Sequence, residues 1–297
     1  MGKGTEMKKS SLGMGVAICA LVLGLGTAVP AGAQSSNPAP APAPAQNQQG
    51  DQPKPATGNQ TQLPPPEAPK VNPQEEADYK AFGALKPEAT DDAIKQGEAF
   101  VQKYPDSRYN ESVYARLTQA YYAKQDVPKM NAAGEKALAL NPDDVSVLVQ
   151  LGFVAPHFSD PSDMDNERKM QKAEAELKHA LELIPTMPKP PALADDAFAK
   201  AKEAATEEAQ SGLGLVYFRE GKYDESVAEF KAVTAGPEAD PTNLYVMGVD
   251  LQQLKRYGEA ADAYGRCAAA STPLQARCKD RAGQMKQQAA AQPAAKP

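Results

Sequence analysis

Residues 213–233 read LGLVYFREGKYDESVAEFKAV and residues 247–267 read MGVDLQQLKRYGEAADAYGRC, so the second stretch repeats the side-chain sizes of the first thirty-four residues later. Leu213-Gly214, Tyr217, Tyr223, Ser226, Phe230 and Val233 recur as Met247-Gly248, Leu251, Tyr257, Ala260, Tyr264 and Cys267. Within each stretch the apolar residues follow the three-and-four spacing of a helix face, interrupted once by a turn. A fixed period of this length marks a stack of helix pairs. No single pair buries its apolar face alone, so each is stabilised by its neighbours and the stack presents a long curved surface.

Moving outward, Tyr114, Leu117 and Tyr121 are followed by a turn at Gln125 to Pro128 and then by Ala137-Leu138 and Pro142, and the same offset lands on Leu148, Leu151-Gly152 and Ala155. Gly152, Gly214 and Gly248 fall in mid-helix, where glycine costs about 1 kcal/mol relative to alanine. A cost repeated in register predicts close helix contact. Small residues at Ala173, Ala180, Ser226 and Ala260 do the same on the second helices, with Leu177, Phe230 and Tyr264 filling the gaps. Pro105, Pro142, Pro185 and Pro273 each stop a second helix, because proline lacks the amide donor and clashes with the preceding turn.

This pattern resembles the tetratricopeptide repeat family, whose units run W-x2-L-G-x2-Y followed by A, F, A and a closing P. The resemblance implies an all-α superhelix, an α-α solenoid of about five helix pairs plus a C-terminal capping helix. It extends over 74–291, with units at about 74–107, 111–144, 145–187, 207–240 and 241–274 and a cap at 275–291. It is densest in 212–230 and 246–264 and thinnest at 74–105, where Ala93, Gly97, Phe100 and Pro105 fit but the first helix fits poorly. The chain has no Trp, and Tyr114, Leu148, Gln210 and Leu244 stand where the family places its aromatic residue.

Two insertions interrupt the period. PHFSDPSDMDN begins at Pro156, with Ser162 or Asp165 as the expected cap of the next helix, and nineteen extra residues precede the fourth unit, where a cap at Asp195 and a first helix lengthened to about Arg219 are expected. Insertions in such arrays map to loops on one edge.

The N-terminus carries Lys8-Lys9, an uncharged apolar run from Leu12 to Val29 and Ala31-Gly32-Ala33. That order reads as a secretory signal peptide at 1–33, cleaved after Ala33, and places the mature chain in the periplasm or outside the cell as an exported bacterial member of the family. Left uncleaved, the run is just long enough to anchor the chain in a membrane. Residues 34–73 alternate Pro with small residues and read as a disordered, semi-rigid spacer, and 292–297 as a disordered tail. The whole chain has a net charge of −6, and loss of residues 1–33, with three Lys and one Glu, takes it to −8. Nucleic acid is excluded as a partner by this balance. Cleavage also removes Cys19 and leaves Cys267 and Cys278 as an even pair in an oxidising compartment, either joined as a disulfide or buried as two small hydrophobes.

Little in the sequence carries catalytic chemistry. His157 and His179 lie twenty-two residues apart without a ligand-spaced partner, and His179 reads as a surface residue on a charged helix face. The acidic run Asp160, Asp163, Asp165, Glu167 lacks the turn glycine and the final Glu of a calcium loop. No Gly-rich phosphate loop and no G-x-S-x-G occurs. The expectation is a non-enzyme with no metal, no cofactor and no small-molecule substrate, whose partner is a protein or peptide.

The informative residues lie on the exposed face of the first helices, which in the family lines a concave groove. The residues one after each in-register glycine, or its counterpart, with those a turn to either side, give a partner-binding set of Phe82, Gln119, Tyr122, Phe153, Leu215, Phe218, Arg219, Tyr245, Val249 and Gln252. This face is apolar and aromatic with few charges, which predicts capture of an apolar or amphipathic segment. The lysines with which relatives clamp a C-terminal carboxylate are absent at the matching places, so an acidic C-terminal peptide fits poorly. The function that emerges is an exported scaffold or adaptor of the cell envelope. Two others compete with it: a structural or cell-wall protein binding through its Pro-rich spacer, and a self-assembling array. Self-packing of the groove residues is the bland alternative to an open groove.

Overall fold

The computed structural model describes residues 72–160 and 162–292. The signal segment and nearly all of the proline-rich spacer lie outside them. Among the described residues there are eleven α-helices and no strand: α1 (Pro73–Gly83), α2 (Thr90–Lys103), α3 (Asn110–Ala123), α4 (Val127–Leu140), α5 (Val145–Val154), α6 (Asn166–Leu183), α7 (Asp195–Glu220), α8 (Tyr223–Val233), α9 (Pro241–Gln253), α10 (Tyr257–Ala269) and α11 (Gln275–Ala291). They form an all-helical repeat stack of five pairs and a final helix. None is long and apolar enough to cross a membrane.

Local chemistry sets the helix ends. Asp126, Asp144 and Asp240 each turn a carboxylate back onto amides of the first turn of α4, α5 and α9, satisfying donors that have no intrahelical acceptor. At the other end α3, α7 and α9 stop in the same way. Gln125, Gly221 and Lys255 take left-handed φ values of 59°, 74° and 58°. The next amide then reaches back to Tyr121 O, Tyr217 O and Leu251 O at 2.9, 2.9 and 2.8 Å, the bond of a Schellman turn. α2, α4, α6 and α10 each end within a few residues before the prolines singled out above.

Recurring glycines let helices approach. A methyl group at Gly248 would lie 2.7 Å from the ring of Tyr264, one at Gly214 would lie 2.9 Å from that of Phe230, and one at Gly152 would lie 2.5 Å from Leu177. Each glycine of a first helix is thus roofed by the large residue of its own second helix, and Phe230, Tyr264 and Leu177 are fully buried. The joint between α7–α8 and α9–α10 also buries a polar pair. Ser226 Oγ lies 2.8 Å from Gly214 O and 2.7 Å from Asp250 Oδ2. One hydroxyl proton cannot serve both, and a carbonyl has none to give, so both contacts are hydrogen bonds only when Asp250 is protonated and donates to Ser226. Burial pushes the Asp250 carboxyl up to about 7, against the opposing hydrogen bond of Ser226.

Sequence reasoning misplaced some helix starts. α7 begins at Asp195 itself, after Ala194, with no side-chain cap; the Asp195 carboxylate instead binds the Lys189 ammonium. Asp165 stands at the N-cap position of α6 as expected, but its side chain makes no capping hydrogen bond. Asp160 and Asp163 turn their carboxylates onto the amides of Ser162 and Asp165 at 2.8 and 2.9 Å, which closes the insertion on itself. Cys267 and Cys278 are joined, with Cα atoms 5.8 Å apart, and tie α11 to α10.

Candidate partner-binding face

The first helices form the inner layer of the stack. α5 and α7 pack along one another, and α3 touches α5 as α7 touches α9, whereas the second helices meet one another at most marginally. Curvature of this sense brings one face of α3, α5, α7 and α9 to a shared inner surface.

Residues at that register fall into two groups. Ala115, Val149 and Ser211 are buried, and Ser211 Oγ accepts from Asn243 of the next first helix at 2.9 Å. Gln119, Tyr122, Phe153, Leu215, Phe218, Tyr245, Val249 and Gln252 are half-buried, and Arg219 is exposed. The surface is therefore partly consumed by contacts between its own helices and partly open. Consumption is greatest between α5 and α7, where a methyl group at Gly212 would lie 3.1 Å from Phe153 Cα.

One sequence-derived member does not belong. Phe82, at 2% exposure, points into the core, where its ring packs near Gly97 and lies 4.9 Å beneath the Arg116 guanidinium. The first helix matches the repeat poorly, and the side of α1 that carries Phe82 is the one that packs on Gly97 of α2. Arg116, which sequence reasoning did not single out, is itself buried and donates to Phe82 O and Leu85 O at 2.8 and 2.6 Å. It thereby satisfies carbonyls at the end of α1 that lack an intrahelical donor.

Around the aromatic residues lie groups that tune the face. The insertion folds back so that His157 meets the Phe153 ring with centroids 4.8 Å apart. Arg219 donates from Nε to Pro156 O at 3.1 Å, which pins this turn to the end of α7. Burial and then the Arg219 charge lower the His157 pKa, which favours the neutral imidazole. The same insertion exposes Phe158 and Met164 at 62% and 100%, which adds apolar surface at its edge. Their burial state had no signal in the sequence, because both lie off the periodic pattern.

Two polar groups on the inner helices also escaped the sequence reading. Gln150, 7% exposed, has an amide nitrogen without a hydrogen-bond partner among the described residues. Burial alone pushes the Glu208 carboxyl up to about 7.

At the far end, Tyr245 packs against Tyr264 with centroids 5.6 Å apart. The last helix sets the Arg277 guanidinium 5.5 Å over the Tyr245 ring and donates from Arg281 to Gln252 Oε1 at 3.3 Å. The face is less poor in charge at this end than the register of the five units implied. His179 sits away from it on α6, with Nε2 2.7 Å from Asp143. No group of three or more His, Cys, Asp or Glu side chains placed to hold a metal occurs among the described residues.

No family model matches the chain, and no curated protein matches it. Solved structures do. It is similar to TTC0263, a thermophilic TPR protein in Thermus thermophilus, with 17% identity and a TM-score of 0.43 over 72% of this chain and 99% of that one. It is also similar to the TPR domain of P58(IPK), with 16% identity and a TM-score of 0.29 over 72% of this chain and 65% of that one.

Proposed function

We propose that this chain is a non-enzymatic, exported scaffold that binds a protein segment of apolar or amphipathic character along its inner face. The observation that carries this reading is the run of half-exposed Tyr122, Phe153, Leu215, Phe218, Tyr245 and Val249 on successive first helices. Aromatic and aliphatic side chains held in register on rigid helices offer buried area to a partner at low ordering cost. The Cys267–Cys278 disulfide, with both residues fully buried, supports export. So does the charge–apolar–small order of residues 1–33.

Two measurements test it. Sequencing of the protein recovered from outside the cytoplasm is expected to give Gln34 as its first residue; an intact Met1 in a soluble cytosolic fraction contradicts export. Pull-down from an envelope fraction is expected to lose its partner when Leu215→Glu and Phe218→Glu are combined, with helix content unchanged by circular dichroism. An identical set of partners from wild type and variant removes the inner face from the account.

A further inference from the structure

The offset of thirty-four residues that orders the inner face continues past the fifth pair. Gln119-Tyr122, Phe153, Leu215-Phe218 and Val249-Gln252 follow one another on α3, α5, α7 and α9, and the next step carries Tyr245 to Lys279, Val249 to Gly283 and Gln252 to Lys286 on α11. The register is apolar or neutral for four helices and cationic on the last. α11 holds Arg277, Lys279, Arg281 and Lys286 against a single Asp280, in a chain whose net charge is −6. None of these four cations has a carboxylate within ion-pair distance among the described residues, whereas just over half of the Lys and Arg side chains on the other described elements do. Arg277 and Arg281 lean toward Tyr245 and Gln252, while Lys279 and Lys286 are exposed in register with them.

From this arrangement we infer that the segment bound on the inner face is apolar along α5, α7 and α9 and carries two or more side-chain carboxylates where it reaches α11. The inference rests on the inner face being the binding surface, as proposed above, and adds the charge and direction of its occupant. A protein segment fits better than a polyanion. Apart from Arg219, which is engaged by Pro156 O, the cations of this surface lie at one end, and the acidic balance of the rest of the chain disfavours nucleic acid and anionic bilayers. Charges placed this way steer and orient a partner more than they add affinity.

Fluorescence anisotropy with the purified chain and three labelled, C-terminally amidated peptides tests this. All three share one amphipathic Leu/Phe half and end in a run of Glu, of Gln or of Lys. The Glu peptide is expected to bind about five- to tenfold tighter than the Gln peptide at about 0.05 M salt, and the Lys peptide weakest. The gap should close at about 0.5 M salt, where screening is short-ranged. Combining Lys279→Gln with Lys286→Gln, both exposed and clear of the buried Cys278, Ala282 and Met285 of α11, is expected to shrink the gap and leave the Gln peptide's affinity unchanged. Equal binding of the Glu and Gln peptides at low salt overturns the inference and leaves the inner-face reading standing. If none of the three binds, that reading fails and the inference falls with it. Displacement of the Glu peptide by vesicles of about one third phosphatidylserine, but not by neutral vesicles, assigns the cations to a lipid surface and also overturns it.

Discussion

Two joints of the stack solve the same packing problem differently. Within α7–α8 and within α9–α10 a glycine is roofed by a fully buried aromatic ring, and the joint between the two pairs encloses Ser226 and Asp250. Between α5 and α7 the first helices approach backbone to backbone at Gly212 and Phe153, beside an insertion clamped by Arg219. The first joint is built of side chains that recur, and the second of a backbone approach between two first helices, whereas the equally close approach at Gly152 is to Ala173 O of its own second helix. Regularity therefore marks where the stack is stabilised, and irregularity marks where its inner face is reshaped.

If so, truncation should cost most in the regular joint. Tyr264→Ala is expected to destabilise by about 3–5 kcal/mol, and Phe153→Ala, half-buried on the inner face, by well under half as much. Chemical denaturation of both variants checks this, and equal losses would erase the distinction between the joints.

A pH titration probes the polar pair of the regular joint. Asp250 has its carboxyl raised to about 7 from 3.8, so the folded chain binds the proton more tightly than the unfolded one. Its contribution is fully present below about pH 4, declines as pH rises toward 7 and is gone above that. Asp250→Asn, which keeps a donor for Ser226, is expected to match wild type near pH 4 and to exceed it by about 1–3 kcal/mol at pH 8. Parallel stability curves for the two proteins would place the proton elsewhere.

Glycine replacement sharpens the contrast further. Gly248→Ala drives a methyl group into the Tyr264 ring and is expected to cost about 1–2 kcal/mol even after the gain in helix propensity. At Gly212 the milder approach to Phe153 Cα is offset by that same gain, so Gly212→Ala is expected to change stability by less than about 0.5 kcal/mol. A reversal of this order would mean that the backbone approach, not the aromatic roof, limits packing.

The smallest effect lies in the turns shared by regular and irregular units. Gln125→Gly and Lys255→Gly relieve left-handed conformations that Gly221 already meets with glycine, and each is expected to stabilise by about 0.5–1 kcal/mol. Thermal melts of the single variants suffice to see it.

Much of the architecture was legible from side-chain size alone. Gly214, Phe230, Gly248 and Tyr264 announce their contacts because a helix pair of fixed geometry leaves the same gap at every repeat. The prolines after α2, α4, α6 and α10 mark helix ends for an equally local reason. What escaped depends on non-local geometry. Phe82 follows the inner-face spacing, yet the side of α1 that carries it packs on Gly97 of α2 and beneath Arg116. Asp195 and Asp165 have the right chemistry for caps, but Lys189 holds one and no amide of α6 reaches the other. Arg277 and Arg281 carry the signature of a solvated helix face. Only the placement of α11, tied to α10 by Cys267–Cys278, brings them to Tyr245 and Gln252. Asp250 gave no signal, since one carboxylate in a helix reads as surface until its neighbours are known.

Site-specific photocrosslinking tests the central claim most directly. A photoreactive residue is placed at Leu215 or Val249 on the inner face, or at the exposed Ala228 on the outer helix α8, and each protein is irradiated in an envelope extract. The account predicts one common adduct from both inner positions and none from Ala228. An adduct from Ala228 with none from Leu215 and Val249 would contradict it.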